Sequence, residues 1–516
     1  MIMSRLHEVL DRQRGERPDA WALRDHDGVR VTFGALGAAV EALAADLSAR
    51  GLGPGDRLLV LAENAAALVG LILAASRLDA VAVPVNARMT APELARIAAH
   101  ADPRLTVYLS NVSPPAAGHA SDAAAAPWAT PLGPLHITDA RRASAAEAVR
   151  TDPGQTAVIL YTTGTTGTPK GVMLTHANLM FGGGASARTR GMVPSDVILG
   201  VLPMTHVFGL TSMMVAALIA GAELRLSPRF SAPAVVAALQ EDVTVLPAVP
   251  QMHALIMAEA AAQGIARLTT GILRYVSSGA APLDPNWKRR AEAFYGTALQ
   301  NGYGLTETTA GVTVTTCPRG IPDVSVGRPL PGVEVRLRDA GTDGVGEMLV
   351  RGPNVMPGYF RNPEATAAAF DADGFFCTGD LGRFDADGNL YIAGRARELI
   401  IRGGFNVYPP EVEAALNEHP AVVQTAVIGR KVVAGDEAGD EEVLAFCQVR
   451  DPLAVSEAAL RDFAAKRLSS YKLPSRIVLA TSLPAAPTGK ILKAQLAATF
   501  ARELEAGAGT RGHCAS

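Results

Sequence analysis

The chain has 516 residues, with 47 Lys and Arg against 50 Asp and Glu, and a formal net charge of −3 at pH 7. This near balance, with charged residues at 19 % of the chain, argues against a polybasic nucleic-acid-binding protein and against a disordered acidic one. At roughly 100–200 residues per domain, the length predicts two or more domains and a large apolar core.

The cysteines and the apolar segments predict the compartment. The four cysteines form no C-x-x-C pair, so neither a zinc site nor a disulfide-rich secreted scaffold is indicated; they are Cys317, Cys377, Cys447 and Cys514. The N-terminal residues carry charge throughout and lack the apolar core of a signal peptide. The longest apolar run, residues 207–222, is shorter than the ~18–20 residues of a membrane span and predicts a buried helix. We therefore expect a soluble, cytoplasmic protein with no integral membrane contact and no nucleic-acid partner.

Helical and strand patterns alternate through the first third of the chain. Thr90 and Glu93 form a T-x-x-E capping box, which predicts that a helix begins there. In chain order we predict a helix ending at Gly51, a strand over 57–62, a helix over 64–77, a strand over 80–85, the helix after Thr90 and a strand over 104–110. Strands separated by helices of this length predict parallel βαβ units with helices on both faces of the sheet.

Further along the chain the pattern weakens and then resumes. Residues 110–151 are rich in Ala, Pro and Ser with weak periodicity, and they predict a variable surface connection. A strand over 156–161 restarts the α/β pattern, which continues to about residue 388. Short strand-like pieces between 324 and 350 predict a small antiparallel or barrel-like subdomain.

The last part of the chain has a different pattern. After residue 395 we predict a compact α+β unit with a helix over 410–417, strands over 423–430 and 443–450, a helix over 456–468 and a frayed tail after Phe500. We place a domain boundary near Arg397. The predicted fold is therefore α/β, with a large N-terminal domain of mixed and parallel sheets wrapped by helices (residues 1–396) and a small α+β C-terminal domain (residues 397–516).

The strongest local signal is YTTGTTGTPKG, residues 161–171, which begins in a predicted strand. Its glycines let the backbone approach an anion closely, and five threonine hydroxyls and Lys170 supply donors and positive charge, as a phosphate-binding loop requires. The spacing is not that of a Walker A motif. From composition alone, a flexible Thr/Gly surface loop explains the segment about equally well.

A second cluster is NGYGLTET, residues 301–308. Gly302 and Gly304 flank Tyr303, as expected where a planar base stacks close to the backbone, and Glu307 is a candidate Mg²⁺ ligand. Taken alone, the segment also fits a tight turn with an N-cap threonine. SSGAAP, residues 277–282, likewise reads as an ordinary turn when taken alone.

Two more clusters lie towards the C-terminus. In TGD, residues 378–380, Asp380 can accept both hydroxyls of a ribose, and Arg395 follows as a partner for a phosphate or the sugar. In PTGKI, residues 487–491, Lys490 stands on a glycine turn. Taken alone, these are a solvated ion pair and an exposed lysine.

In this order and at these separations, the four clusters resemble the adenylate-forming superfamily of acyl-CoA synthetases, firefly-type luciferases and peptide-synthetase adenylation domains. Two further segments carry the resemblance: VLPMTHVF (201–208) is similar to the family's acyl-pocket motif, and GRARELIIRGGFNVYPPEVE (394–413) is similar to its hinge and thiol-channel segment. The resemblance runs from about residue 5 to residue 495. It implies that the small C-terminal domain is mobile.

The resemblance also implies roles for the nucleotide-binding residues. The loop over the β- and γ-phosphates of ATP comprises Thr162, Thr163, Gly164, Thr165, Thr166, Gly167 and Lys170. The residues around the adenine are Gly279, Ala280, Ala281, Asn301, Gly302, Tyr303 and Gly304. Thr306 contacts the α-phosphate, Glu307 holds Mg²⁺, and Asp380 takes the ribose hydroxyls with Arg395 beside it.

Other implied roles concern the acid, the hinge and the thiol. Lys490 bridges the acyl carboxylate and the α-phosphate, so that it forms the catalytic set with Thr306, Glu307 and His206. His206 lies at the mouth of an acyl pocket shaped by Phe208 and Gly209. Arg397 takes the hinge position, where the family more often has Asp or Lys, and Gly403 and Gly404 line the coenzyme A channel. The family's later Trp-Gly-Glu element is absent, so the contact with the adenine of coenzyme A stays unassigned.

The resemblance predicts an acyl-CoA synthetase that uses ATP, Mg²⁺ and coenzyme A. An adenylation enzyme that loads a separate carrier protein, a non-catalytic nucleotide sensor and, more remotely, a luciferase-like oxygenase remain alternatives. The stretch after His206 is apolar and offers no Arg or Lys for a second carboxylate, which favours an aromatic or medium- to long-chain aliphatic monocarboxylic acid. Residues 182–185 are expected to leave space for it if they line the pocket. The sequence leaves open whether the chain forms a homodimer.

Overall fold

A computed structural model describes residues 3–140, 146–162, 169–269, 271–279, 283, 285–402, 405–431, 441–485 and 491–506 of the chain. The strands are β1 (Trp21–Arg24), β2 (Arg30–Thr32), β3 (Arg57–Ala62), β4 (Val81–Asn86), β5 (Leu105–Tyr108), β6 (Ala126–Thr130), β7 (Gly133–Ile137), β8 (Thr156–Thr162), β9 (Lys170–Thr175), β10 (Val197–Gly200), β11 (Glu223–Leu226), β12 (Val245–Ala248), β13 (Tyr275–Gly279), β14 (Leu299–Tyr303), β15 (Thr313–Val314), β16 (Arg328–Pro329), β17 (Glu334–Arg338), β18 (Gly346–Arg351), β19 (Phe376–Phe384), β20 (Leu390–Arg395), β21 (Ile400–Arg402), β22 (Phe405–Val407), β23 (Val422–Lys431), β24 (Glu441–Val449) and β25 (Arg476–Ala480).

The helices are α1 (His7–Glu16), α2 (Phe33–Ala49), α3 (Ala66–Arg77), α4 (Ala91–Ala101), α5 (Pro114–Asp122), α6 (His176–Thr189), α7 (Val207–Gly209), α8 (Ala216–Ala220), α9 (Ala232–Gln240), α10 (Pro250–Ala262), α11 (Pro285–Tyr295), α12 (Pro363–Ala368), α13 (Pro409–Asn417), α14 (Glu457–Ala465), α15 (Lys493–Thr499) and α16 (Ala501–Ala506). The capping box is present at the start of α4, where the Thr90 amide donates to the Glu93 carboxylate at 2.9 Å. The predicted strands and helices of the first third are confirmed, with boundaries shifted by a few residues.

The first sheet has seven strands in the order β6-β7-β5-β3-β4-β8-β9. Its centre, β5-β3-β4-β8, is parallel, as the alternating pattern predicts. The prediction of a variable surface connection over 110–151 missed regular structure, because α5 and the β6–β7 hairpin lie there and extend the sheet edge. Only alternate residues of the hairpin are buried, Trp128, Leu135 and Ile137 among them, and so short an element leaves a weak periodic signal.

The second sheet has nine strands in the order β16-β15-β14-β13-β12-β10-β11-β1-β2. Its strands are parallel from β14 through to β1, with antiparallel strands at both edges. The carboxyl ends of β13 and β14 lie side by side, with Gly279 opposite Gly302. In open α/β sheets a ligand crevice forms outside such carboxyl ends.

Buried helices join the two sheets into one core. The helix α3 is buried along nearly its whole length and packs against β3, β4 and β8 as well as against α1 and α2. The apolar run 207–222 is buried and helical, as predicted, but it is divided into α7, a π-helical segment (Leu210–Val215) and α8. Helix α6 packs on the π-helical segment and on α8.

A third sheet, with the order β17-β18-β19-β20, is antiparallel throughout. It confirms the antiparallel form of the predicted subdomain. Its edge strands β17 and β20 do not pair with each other, so among the described residues the sheet stays open and is not a closed barrel. Asp380 on β19 lies opposite Arg395 on β20.

The C-terminal α+β unit contains the β21–β22 hairpin and the sheet β23-β24-β25. Apolar residues of α13 and α14 cover one face of that sheet, and residues of α15 and α16 cover the other. The predicted frayed tail after Phe500 is helical as far as residue 506, because Leu504 packs beside Phe446 and Phe500. A short 3₁₀ turn, Ala396–Glu398, connects β20 to this unit.

Candidate active site

A cleft of about 2520 Å³ opens at the carboxyl ends of β13 and β14 and extends between the third sheet and the C-terminal unit. The described residues assigned to the site from the sequence all line it: Thr162, Lys170, His206, Phe208, Gly209, Gly279, Asn301, Gly302, Tyr303, Gly304, Thr306, Glu307, Asp380, Arg395 and Arg397. The predicted residues Thr163, Gly164, Thr165, Thr166, Gly167, Ala280, Ala281, Gly403, Gly404 and Lys490 lie outside the described residues.

Asp380 forms the centre of a buried polar network. Its Oδ1 accepts from Arg395 Nε at 2.9 Å, and its Oδ2 accepts from the Tyr303 hydroxyl at 2.5 Å. The Asp380 side chain is 5 % exposed. Burial and the neighbouring Asp380 charge raise the pKa of Tyr303 well above its usual value, so the phenol stays a neutral donor. The carboxylate is held in one orientation, and its remaining lone pairs can accept ligand hydroxyls.

Glu307 is held by a second tyrosine. It lies on the short 3₁₀ turn Thr306–Thr308, directly after β14, and its Oε1 accepts from the Tyr359 hydroxyl at 2.9 Å. Burial, with the charge of Glu307, raises the pKa of Tyr359. The Lys170 ammonium lies 4.9 Å from the centre of the Tyr359 ring, so this ring separates a cation from a carboxylate on the wall of the cleft.

The turn that carries Glu307 depends on a glycine. A Cβ at Gly304 would lie 1.5 Å from the carbonyl oxygen of Ala310, so no other residue fits there. Thr309 and Ala310 have φ values of 50° and 76°, in the left-handed region that non-glycine residues rarely adopt. The chain therefore folds back tightly after β14, and this presents Thr306 and Glu307 to the cleft.

Asn301 and Gly279 form the floor next to Tyr303. Asn301 is buried and donates through Nδ2 to the Ser325 carbonyl at 2.9 Å. Its Oδ1 has no hydrogen-bond partner among the described residues, so it can accept from a ligand amino group. A Cβ at Gly279 would lie 3.2 Å from the Phe208 ring, which places the predicted adenine and acyl residues in contact.

The predicted acyl-pocket residues begin with His206, which is exposed and caps the short helix α7. Its Nδ1 accepts from the Phe208 amide at 3.4 Å. Gly209 is required beside it, because a Cβ there would lie 2.2 Å from the Pro203 carbonyl oxygen. Both residues line the cleft, His206 exposed and Phe208 half-buried.

Residues 182–185 do not provide the space expected of them. A Cβ at Gly182 would lie 2.7 Å from Thr211 Cγ2, and one at Gly183 would lie 2.5 Å from Val215 Cγ1. The glycines therefore let α6 pack closely on the π-helical segment. The next turn of α6 lines the cleft instead, with Ser186 and Arg190.

Lys493, which the sequence analysis did not single out, joins the hinge segment to the C-terminal unit. Its ammonium lies 3.1 Å from Glu398 Oε2 and 2.8 Å from Glu413 Oε1. Burial favours the neutral amine, but the two carboxylates outweigh it and raise the pKa of Lys493. Glu398 directly follows the predicted hinge residue Arg397, and Lys493 begins α15, directly after the segment that contains Lys490.

Sequence reasoning also missed Tyr359 and Arg190. Tyr359 lies in a loop, and 52 residues separate it from Glu307, so no local pattern indicates the pair. Arg190 follows the last residue of α6, before the apolar stretch in which a counter-charge was sought. The sequence does not show that Arg190 is buried beside the cleft, because this depends on how α6 packs.

A cleft at the carboxyl ends of parallel strands, with a buried carboxylate, a lysine at the start of β9 and a glutamate on a tight turn, fits a nucleotide-dependent enzyme of the adenylate-forming class. Residues 10–360 match the model of the family described as AMP-binding enzyme. Residues 411–490 match the AMP-binding enzyme C-terminal domain. The chain belongs to this family, and it is an AMP-forming acid–thiol ligase.

Similar proteins extend over nearly the whole chain. A sulfoacetate–CoA ligase of Cupriavidus necator is 33 % identical over 96 % of this chain and 98 % of its own length. The long-chain-fatty-acid–CoA ligase FadD13 of Mycobacterium tuberculosis is 34 % identical over 91 % of this chain and 93 % of its own. The crystal structure of ATP-bound MatB from Rhodopseudomonas palustris superposes with a TM-score of 0.82, at 31 % identity over 96 % of this chain and 99 % of MatB. These names span very different acids, so membership of the family does not identify the acid.

No helix among the described residues is long and apolar enough to cross a membrane. Cys317, Cys377 and Cys447 are free thiols.

Proposed function

We propose that the protein is an acyl-CoA synthetase, which activates a carboxylic acid with ATP and transfers the acyl group to coenzyme A. The observation that carries this proposal is the single cleft in which the Asp380 network, Glu307 and the His206–Phe208 segment meet. A ribose-binding carboxylate, a metal-binding carboxylate and an apolar acid pocket in contact are what acyl adenylation needs.

The first half-reaction must bring two anions together. A carboxylate oxygen of the acid attacks the α-phosphorus of ATP, the bond to the β-phosphate oxygen breaks, and pyrophosphate leaves. We assign Asp380 to the ribose hydroxyls, Asn301 Oδ1 to the adenine amino group, and Thr306 to the α-phosphate. Lys170 with the loop that precedes it, and Lys490, reduce the repulsion between the acid and the phosphates.

Glu307 fits a magnesium ion. The described residues contain no group of three His, Cys, Asp or Glu side chains that could hold a metal. Mg²⁺ typically binds one or two carboxylates and fills its other positions with water and substrate phosphates, so a single Glu307 beside the predicted phosphate loop is an adequate protein ligand. The bound ion would neutralise charge on the phosphate oxygens. The Tyr359 hydroxyl orients Glu307 through a hydrogen bond to one of its two carboxylate oxygens.

The second half-reaction uses a different arrangement of the same cleft. The coenzyme A sulfur forms a bond to the acyl carbon, AMP leaves with the electron pair of the acyl–oxygen bond, and the thiol proton passes to water. We propose that the C-terminal unit rotates about Arg397 between the two steps, which withdraws Lys490 and brings Gly403 and Gly404 to the site.

All residues invoked belong to one chain, so the proposal does not require a homodimer. Its free thiols and its use of ATP and coenzyme A support action in the cytoplasm.

The acid is inferred from the residues that line the cleft. From the apolar residues after His206, the sequence predicts an aromatic or medium- to long-chain monocarboxylic acid. That prediction rested on finding no cation in this stretch, whereas the cleft receives Arg190 from α6.

The reaction class is tested by product analysis. A panel of acids is incubated with the full chain, ATP, Mg²⁺ and coenzyme A, and the nucleotide products and the thioester are quantified by chromatography. We expect AMP, pyrophosphate and acyl-CoA in equal amounts. Stoichiometric ADP would refute adenylation. Formation of acyl-adenylate without a thioester would contradict coenzyme A as the acyl acceptor and would favour a carrier protein.

A further inference from the structure

Arg190 is a buried cation on the wall of the cleft. The residue is 7 % exposed and follows the last residue of α6. Its guanidinium donates to the Ser212 carbonyl and lies 5.9 Å from the centre of the Tyr275 ring, with a further hydrogen bond to the Tyr275 side chain. Among the described residues no carboxylate forms an ion pair with it.

Asp196, six residues further along the chain, is a carboxylate that is already paired elsewhere. Asp196 accepts from Arg274 Nε at 2.8 Å and from the Thr244 hydroxyl at 2.7 Å, and it does not pair with Arg190. Burial lowers the pKa of Arg190, and Tyr275 opposes this only in part. A guanidinium has five N–H donors, and burying it without an anion is costly. The protein therefore keeps a charge at this place that its own described residues do not balance.

The surroundings of Arg190 are polar although the cleft is largely apolar nearby. The Ser186 hydroxyl donates to the Ser212 hydroxyl at 3.0 Å. Ser277 lies two residues after Tyr275 on β13 and therefore on the same face of the strand, and its buried hydroxyl has no partner among the described residues. All of these residues line the cleft that His206 and Phe208 line.

We propose that Arg190 binds a second carboxylate on the acid, so that the substrate is a dicarboxylic acid activated at one end and held by this arginine at the other. The inference rests on the proposed function, because it names the acid that the same cleft activates. The planar guanidinium matches a carboxylate bidentately, and Ser277 can add a hydrogen bond. The monocarboxylate prediction considered only the chain after His206, whereas the cation arrives from the preceding helix.

The experiment compares acids that differ only in the far charge. Straight-chain dicarboxylic acids of three to eight carbons are assayed against their mono-amides of equal length, with pyrophosphate release as the readout. For the best length we expect the wild-type kcat/KM for the diacid to exceed that for the mono-amide by roughly 10- to 100-fold, since a hydrogen-bonded charge pair is replaced by a neutral contact.

The variants assign the preference to Arg190. Arg190→Gln should lose the preference for the diacid while its kcat/KM for the mono-amide stays within about threefold of wild type, and Arg190→Lys should keep part of it as a point charge. Arg188→Gln is the matched control, because Arg188 lies in the last turn of α6, two residues before Arg190, and is exposed. Thermal unfolding of each variant verifies folding; if Arg190→Gln unfolds, the wild-type preference and Arg190→Lys still decide.

Equal kcat/KM for diacid and mono-amide in the wild type would overturn this inference alone. So would an unchanged preference in a folded Arg190→Gln variant. If no acid of any kind yields AMP and pyrophosphate, the proposed function itself fails.

Discussion

Removal of the Asp380 carboxylate should weaken ATP binding strongly while the chain stays folded. Two ribose hydroxyls that donate to this carboxylate would each contribute roughly 1.5–3 kcal/mol, because the acceptor is charged. The side chain is only 5 % exposed, so water does not replace these bonds in the complex. At the lower bound the two bonds sum to about 3 kcal/mol, which corresponds to roughly a hundredfold rise in Kd.

Two variants separate the ligand contact from the protein network. Asp380→Ala leaves the buried Tyr303 hydroxyl without its acceptor, which costs about 1–3 kcal/mol of the free energy of unfolding. Asp380→Asn keeps the shape and one acceptor oxygen, so it should unfold closer to wild type yet still bind ATP weakly. Tyr303→Phe keeps the carboxylate, and we expect its Kd for ATP to rise by less than about tenfold.

The assay is calorimetric titration of ATP and AMP into the full chain, with denaturant unfolding measured in parallel. Asp387→Ala, at an exposed position in the turn between β19 and β20, is the control and should bind like wild type. A folded Asp380→Ala protein with a wild-type Kd for ATP would refute the assignment of the ribose site.

Three other predictions test the acid pocket, the two half-reactions and the pH dependence. Phe208→Ala should change the ranking of acids by size while the Kd for ATP stays constant; a change in ATP affinity alone would contradict the placement of the pocket. Lys490→Ala should slow acyl-adenylate formation by roughly 10²–10³-fold but still convert presynthesised acyl-adenylate to thioester. Arg397→Pro should keep acyl-adenylate formation and slow thioester formation. Equal losses in both steps for both variants would rule out alternation of the C-terminal unit. Burial lowers the pKa of His253 from 6.5 to about 4, so the unfolded chain takes up the proton before the folded chain does as the pH falls. In denaturant titrations, this group should make the free energy of unfolding about 2 kcal/mol smaller at pH 5 than at pH 7. His253→Gln should remove that part of the pH dependence of stability.

The sequence alone predicted the regular parts of the fold well. The βαβ units of the first third follow from continuous apolar strands and capped helices, whose signals are local. The β6–β7 hairpin was missed because its strands are short and half-exposed, and the pairing that stabilises it is with β5, outside its own segment.

The site was predicted from motifs, and what the motifs omit is long-range. Asp380 and Glu307 could be named from the sequence, but each is held by a tyrosine 77 or 52 residues away, a partnership that only folding creates. Arg190 was overlooked for the same reason, since its meeting with Ser212 and Tyr275 depends on how α6 packs. Local patterns thus predict which groups carry chemistry, whereas the orientation of those groups comes from contacts between distant segments.

Two ion pairs flank the proposed hinge at Arg397 and would restrict the proposed rotation of the C-terminal unit. Arg395 is fixed to the large domain by its ion pair with Asp380, and Glu398 is fixed to the C-terminal unit by Lys493. While both ion pairs hold, the proposed rotation would be absorbed by the backbone dihedral angles of Ala396 and Arg397, at a pivot only two residues long. Such a short pivot would allow fewer orientations of the C-terminal unit than a long flexible linker does. It would favour two defined orientations of the C-terminal unit. Breaking the Glu398–Lys493 ion pair would lengthen the free segment and allow a wider range of orientations.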